Sequence, residues 1–186
     1  DRVTLTRADL TVFNQPIAAA IGQGSYTTTI ADLLDRQMRR SDNTANDFLM
    51  RKVGGPQAIR NFIAAKGFGA IRFGPGEKHL QAKTAGLNWR PEYIDNQVFR
   101  NARAKLSDAA RTAAMDAYIA DPPDGASPIA IARALLRLKR GDILSPSSTR
   151  YLLNLMSTSI TGRQRLHGGV PAGWRFAHKT GTGQEL

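Results

Sequence analysis

A chain of 186 residues with 41% hydrophobic content is long enough to bury a core and too apolar for a disordered tail. It has no cysteine, which excludes disulfides and thiolate metal sites, and His79, His167 and His178 lack the spacing of a helical metal pair, so no metal or other cofactor is expected. The net charge of +11 raises nucleic acid as a partner, and no run of apolar residues approaches the roughly 18 of a membrane span.

In chain order, Thr29-Ile30-Ala31-Asp32 reads as a capping box opening a helix with an Ile30, Leu33, Leu34 and Met38 stripe that runs out at Arg39-Arg40. A second helix follows Asn43 and stops at Gly54-Gly55-Pro56, which leaves Ser41-Asp42-Asn43 at a helix junction. Pro56 suits the first turn of a third helix with Ile59, Phe62 and Ile63 inward, ending before Gly67. Gly74, Pro75, Gly76 and Gly86 mark residues 71–89 as a long loop.

Residues 97–120 regain helical character, the second part behind a Ser107 cap, and Ser127-Pro128 and Ser145-Pro146 each open a further helix. Arg133, Arg137 and Arg140 recur about one turn apart beside Ile131, Leu135 and Leu138, an ordinary solvated face, and no zinc-finger or RNA-binding motif accompanies them. Nucleic acid is therefore not the expected partner; small anionic substrates are. Trp174, Phe176 and His178 alternate with Arg175, Ala177 and Lys179, the one strand signal of a mostly helical chain.

Ser41-Asp42-Asn43 at a helix junction and Lys179-Thr180-Gly181 on a strand, in that order, resemble two of the three elements of class A serine β-lactamases and penicillin-binding proteins. Gly54-Gly55-Pro56, Thr161-Gly162-Arg163-Gln164-Arg165 and Val170-Pro171-Ala172-Gly173-Trp174 extend the likeness over most of the chain. Glu77-Lys78-His79-Leu80-Gln81 is similar to the family's Glu-x-x-Leu-Asn omega loop, with Gln81 in place of Asn. Arg90-Pro91-Glu92 followed by Asn96 competes for that match; spacing favours Glu77, and Asp124 to Pro128 would then make residues near 82–118 an insertion.

The resemblance implies an α+β fold of the β-lactamase and penicillin-binding-protein type, with a helical domain over 1–160 and the start of an α/β domain over 161–186. It implies a monomer acting on a β-lactam or an acyl-D-Ala-D-Ala-like small molecule in the periplasm, although no residue of the sequence shows export. Ser41 would relay a proton to the leaving nitrogen and Lys179 would be the cation holding that hydroxyl and the substrate carboxylate. Asn43 would hold the acyl amide, Thr180 and Arg165 would receive the carboxylate, and the Gly181-Thr182 backbone would dock beside the acyl group. Glu77 would activate the deacylating water, with Gln81 helping to hold it. Taken singly, Ser41 and Asn43 also fit a helix cap, Lys179 a strand-end charge and Arg165 a surface loop.

The third element, Ser-x-x-Lys, has no match: no serine of the sequence has a lysine three positions on. By the family spacing it belongs ahead of Asp1, both ends are expected to be cut, and the 186 residues alone are expected to be inactive. A D-alanyl-D-alanine peptidase, which would not need Glu77, and a non-catalytic binding module of the same fold are the alternatives.

Overall fold

Arg2-Val3-Thr4-Leu5-Thr6 alternates polar and apolar residues, and in the structure, a computed structural model that describes residues 1–183, it forms strand β1 (Arg2–Thr6). β1 pairs antiparallel with β2 (Ser25–Thr29), Val3 opposite Thr28 and Leu5 opposite Tyr26. Alternation turns Val3 and Leu5 to one face, where they meet Leu10, Ile17, Leu33 and Ala45 in the first apolar cluster. Neither strand is among the sequence-based expectations. A short helix, α1 (Ala18–Ile21), lies between them.

The expected helices follow. In α2 (Ile30–Arg40), Thr29 caps the first turn by accepting from Asp32 N–H at 3.1 Å, but the return half of the box is not made. Asp32 instead takes Thr28 and Arg36, both at 2.7 Å. α3 (Asn43–Lys52) is capped by Asp42, and α4 (Gly55–Ala65) starts at Gly55 behind its N-cap Gly54, both at positive φ. The inward face expected for α4 is corrected: no residue of the helix is buried, and Phe62 is 42% exposed, lying edge-on to Phe68. The helix packs on the outside of α3, and its apolar stripe is only half covered.

A second correction concerns residues 71–89, which are not one loop. They contain α5 (Glu77–Thr84), whose Ala82 joins Val12, Ala85, Tyr93 and Phe99 in a second cluster. α6 (Asn96–Ala104) and α7 (Asp108–Ala120) follow, capped by Asp95 and Ser107. α8 (Pro128–Arg140) and α9 (Pro146–Ser157) carry their serine caps and prolines as expected, and Leu138, Leu155 and Met156 close over Met38 of α2 as a third cluster. Burying one such side chain contributes about 1.5–3 kcal/mol.

Residues 174–183 differ from the strand expected of them. Phe176, His178 and Thr180 are half-buried and alternate with exposed Arg175, Ala177 and Lys179, so the period of two is present. No ladder forms, because among the described residues no strand pairs with this segment and a strand is defined by that pairing. It is held instead at single points: His178 N–H donates to Met156 O at 3.2 Å, and His178 Nε2 lies 2.8 Å from Thr161 O. Among the described residues, no helix is long and apolar enough to cross a membrane.

Candidate active site

The junction of α2 and α3 is built to present two side chains. Ser41 leaves α2 in the left-handed conformation (φ 57°, ψ 39°), which is strained for a residue with a Cβ. Asn14 fixes it there, donating from Nδ2 to Arg40 O (2.7 Å) and Ser41 O (2.8 Å). Asp42 is fully buried and faces away, accepting from Ala45 N–H at 3.0 Å and Ile17 N–H at 2.7 Å. Burial pushes its carboxyl above the usual range, and those two N–H bonds oppose the shift. Asn43 donates N–H to Asn14 O (2.8 Å) and Nδ2 to Val12 O (3.0 Å). Its Oδ1 accepts no hydrogen bond among the described residues.

Across 138 residues of sequence, Lys179 reaches this junction: Nζ donates to Ser41 Oγ at 2.7 Å and to Thr180 O at 2.8 Å. The residue as a whole is exposed, and it lines the cleft with its ammonium held by those two bonds. Desolvation pushes its pKa down, and the Glu77 carboxylate opposes this. Because Ser41 Oγ accepts from the ammonium, its own O–H is left to point elsewhere in the cleft.

Glu77 opens α5. Asp47, buried in the middle of α3, takes Glu77 N–H at 2.8 Å and Lys78 N–H at 3.2 Å, one on each carboxylate oxygen. It thereby satisfies the first orphan donors of α5 and fixes where Glu77 starts. Gly76 precedes it at φ +98°, where an added Cβ would meet Met50 Cε at 2.8 Å. Gln81, one turn on, donates from Nε2 to Glu77 Oε2 at 3.1 Å. Burial raises the Glu77 pKa above the ordinary carboxylate value; Asp47 and Asp124 add to the rise, while the Gln81 bond and Lys179 oppose it.

Ser41, Asn43, Glu77, Gln81, Arg165, Lys179, Thr180, Gly181 and Thr182 all line a single cleft of about 940 Å³. Every site residue expected from the sequence is therefore brought to one place. The Beta-lactamase enzyme family profile matches residues 1–186. The chain belongs to that family.

Among its relatives, Beta-lactamase 3 of Bacillus cereus is 27% identical over 183 residues, covering 98% of this chain and 46% of that protein. The beta-lactamase of Streptomyces fradiae is 30% identical over 155 residues, covering 83% and 40%. The crystal structure of TLA-1 extended spectrum beta-lactamase superposes on all of this chain and 55% of its own (TM-score 0.71, 24% identity), a likeness of fold. The ancestral (GNCA) class A β-lactamase superposes over 98% of this chain and 56% of its own at 29% identity (TM-score 0.66). The chain spans about half the length of the relatives it matches.

In this β-lactamase-family chain Glu92, the rival omega-loop carboxylate, lies on a 3-10 turn (Pro91–Ile94), exposed and 3.8 Å from Arg90, and does not line the cleft. Thr180 Oγ1 pairs with Thr161 Oγ1 at 2.8 Å, and Arg165 Nη1 donates to Gly181 O at 3.3 Å. Sequence reasoning missed Asn14, Asp47, Thr161 and Phe13. Asp47 left no signal, because Ala45, Phe48 and Leu49 share a helix face from which position 47 points away; Asn14 left none, and Thr161 stood only as the first residue of the Thr161–Arg165 stretch.

Proposed function

We propose that the protein containing this chain is a serine β-lactam hydrolase working through an acyl-enzyme. Residues 1–160 form one wall of its cleft, and residues 161–186 form the beginning of the α/β domain that supplies the other. The observation that carries this reading is the 2.7 Å contact between Lys179 Nζ and Ser41 Oγ, facing a half-buried Glu77 across the same cleft. A nucleophilic serine, from a Ser-x-x-Lys segment outside this sequence, adds to the lactam carbonyl. The C–N bond breaks as Ser41 passes its hydroxyl proton to the departing nitrogen and takes in its place the proton that the nucleophilic serine has given up. Lys179, with Thr180 and Arg165, holds the substrate carboxylate, and Asn43 Oδ1 accepts from the acyl amide N–H.

Glu77 then takes a proton from the water that attacks the ester, and the proton returns to the serine oxygen as its bond to the acyl carbon breaks. Its raised pKa suits that task, since a base works best when its pKa approaches the working pH. The place of Glu77 in the cleft favours hydrolysis over a D-alanyl-D-alanine peptidase, which has no use for it. In the full-length protein, Glu77→Gln should lower the hydrolysis of nitrocefin by roughly 10²–10⁴-fold and let a covalent penicillin adduct accumulate, read by intact mass. Wild-type turnover in that variant would overturn the assignment of Glu77. The absence of any adduct in both proteins would overturn the acyl-enzyme.

A further inference from the structure

Glu77 has a neighbour from later in the chain that the reaction as described does not use. α7 lies along α5: an added Cβ on Gly86, just past the end of α5, would meet Leu106 Cδ1 at 3.1 Å and Ala114 Cβ at 3.4 Å. Tyr118 follows Ala114 by four positions and buried Met115 by three, so the three share the face of α7 turned to α5. Tyr118 Oη donates to Asp124 Oδ1 at 3.0 Å. Asp124 Cβ in turn would lie 3.6 Å from a Cβ on Gly74, just ahead of Glu77. α7 therefore runs back along α5 and carries its phenol to the end where Glu77 starts, and both residues line the cleft.

Burial raises the Tyr118 pKa above its ordinary value, and the Asp124 bond and the charges of Asp124 and Glu77 add to the rise. The phenol is therefore neutral at neutral pH and is no base. Its proton is committed to Asp124, which leaves its oxygen able to accept. Glu77 takes the Gln81 amide on Oε2 at 3.1 Å, and among the described residues its Oε1 accepts no hydrogen bond. A water held on Oε1 alone could still turn about that bond, yet a lone pair has to face the ester carbon before it can attack.

We infer that Tyr118 is a catalytic residue of deacylation, its phenol oxygen accepting the second hydrogen of the water whose first hydrogen goes to Glu77. The inference rests on the reading of the cleft as a β-lactam site with Glu77 as base. Two acceptors fix both hydrogens of the water and so aim its lone pair. As Glu77 takes the first proton, the hydroxyl adds to the ester carbonyl, and the second hydrogen stays on that oxygen, so no proton passes through the phenol. Asp124 orients the Tyr118 hydroxyl. The stretch near 82–118 that reads as an insertion thereby delivers a working group to the cleft.

The test uses the full-length enzyme and a penicillin, with acylation and deacylation rates measured separately in single turnovers. Tyr118→Phe, which removes only the hydroxyl, should slow deacylation about tenfold, the scale of one hydrogen bond, and leave acylation and the unfolding midpoint in place. Added to Glu77→Gln, it should slow deacylation by no more than about twofold, because both groups act through one water. A full second tenfold in that background, or an equal loss of acylation and deacylation in Tyr118→Phe, would mean a role in packing and would overturn the assignment. So would an unchanged deacylation rate in Tyr118→Phe; with Glu77→Gln still slow, that result leaves the β-lactam reading standing. A wild-type enzyme that is never acylated would overturn both.

Discussion

Asp47 and Glu77 show how one side chain can serve both fold and chemistry. Asp47 holds Glu77 through two backbone N–H bonds while its own charge disfavours ionisation of the Glu77 carboxyl. On the proposed mechanism Glu77 must be ionised to act as base. A raised pKa therefore means that activity is lost, as pH falls, at a higher pH than an ordinary carboxylate would dictate. Asp47→Asn removes the negative neighbour, so the acidic limb of the kcat profile should move to lower pH. The same change presents an amide NH₂ where Lys78 N–H needs an acceptor, at an expected cost of about 1–2 kcal/mol in denaturant unfolding. A limb that stays in place or moves upward would refute the electrostatic half of this account; unchanged stability would refute the structural half.

At the scale of the element, α5 begins where it does because Gly76 lets the chain turn at φ +98° directly beneath Met50 and Asp47. Gly76→Ala places a methyl against Met50 Cε and forces a left-handed alanine, together costing about 1–2 kcal/mol. The lasting effect should be a displaced Glu77. Single-turnover kinetics should show slower deacylation with acylation nearly unchanged; equal loss in both steps would mean that the turn supports the whole cleft rather than the base.

The same element shows why parts of the fold were hard to see in the sequence. Helices α2, α7, α8 and α9 could be read because their signals are local: Thr29, Ser107, Ser127 and Ser145 each cap their own first turn. α5 carries only a weak apolar stripe and is anchored by Asp47, 30 positions earlier, so no window of its own sequence announces it. The segment around Lys179 is the opposite case. Its alternation is a real local signal, but a strand also needs a neighbour, which alternation does not supply. The site residues were legible for a third reason, since Ser41, Asn43 and Lys179 sit in short motifs whose order is itself informative. Phe13, Asn14 and Arg100 belong to no such motif and meet the cleft only through tertiary contacts.

Over these 186 residues together, the net charge of +11 acquires a use once the cleft is known. Lys179, Arg165, Arg100 and Arg103 line it against Glu77 and Asp124, so the opening is cationic on a cationic body. An anionic substrate approaching it is drawn in over a distance set by salt, about 30 Å at 0.01 M and about 3 Å at 1 M. Steering of this kind acts on encounter and not on the bound complex. With the full-length enzyme and a penicillin, kcat/KM should fall by roughly threefold or more between those two salt concentrations. The value of kcat should change far less, because the 2.7 Å Lys179–Ser41 contact is shorter than any screening length in that range. A flat kcat/KM would mean that the basic residues are dispersed solvated charges with no bearing on the cleft, and a parallel fall in kcat would mean that salt disturbs the Lys179 contact itself.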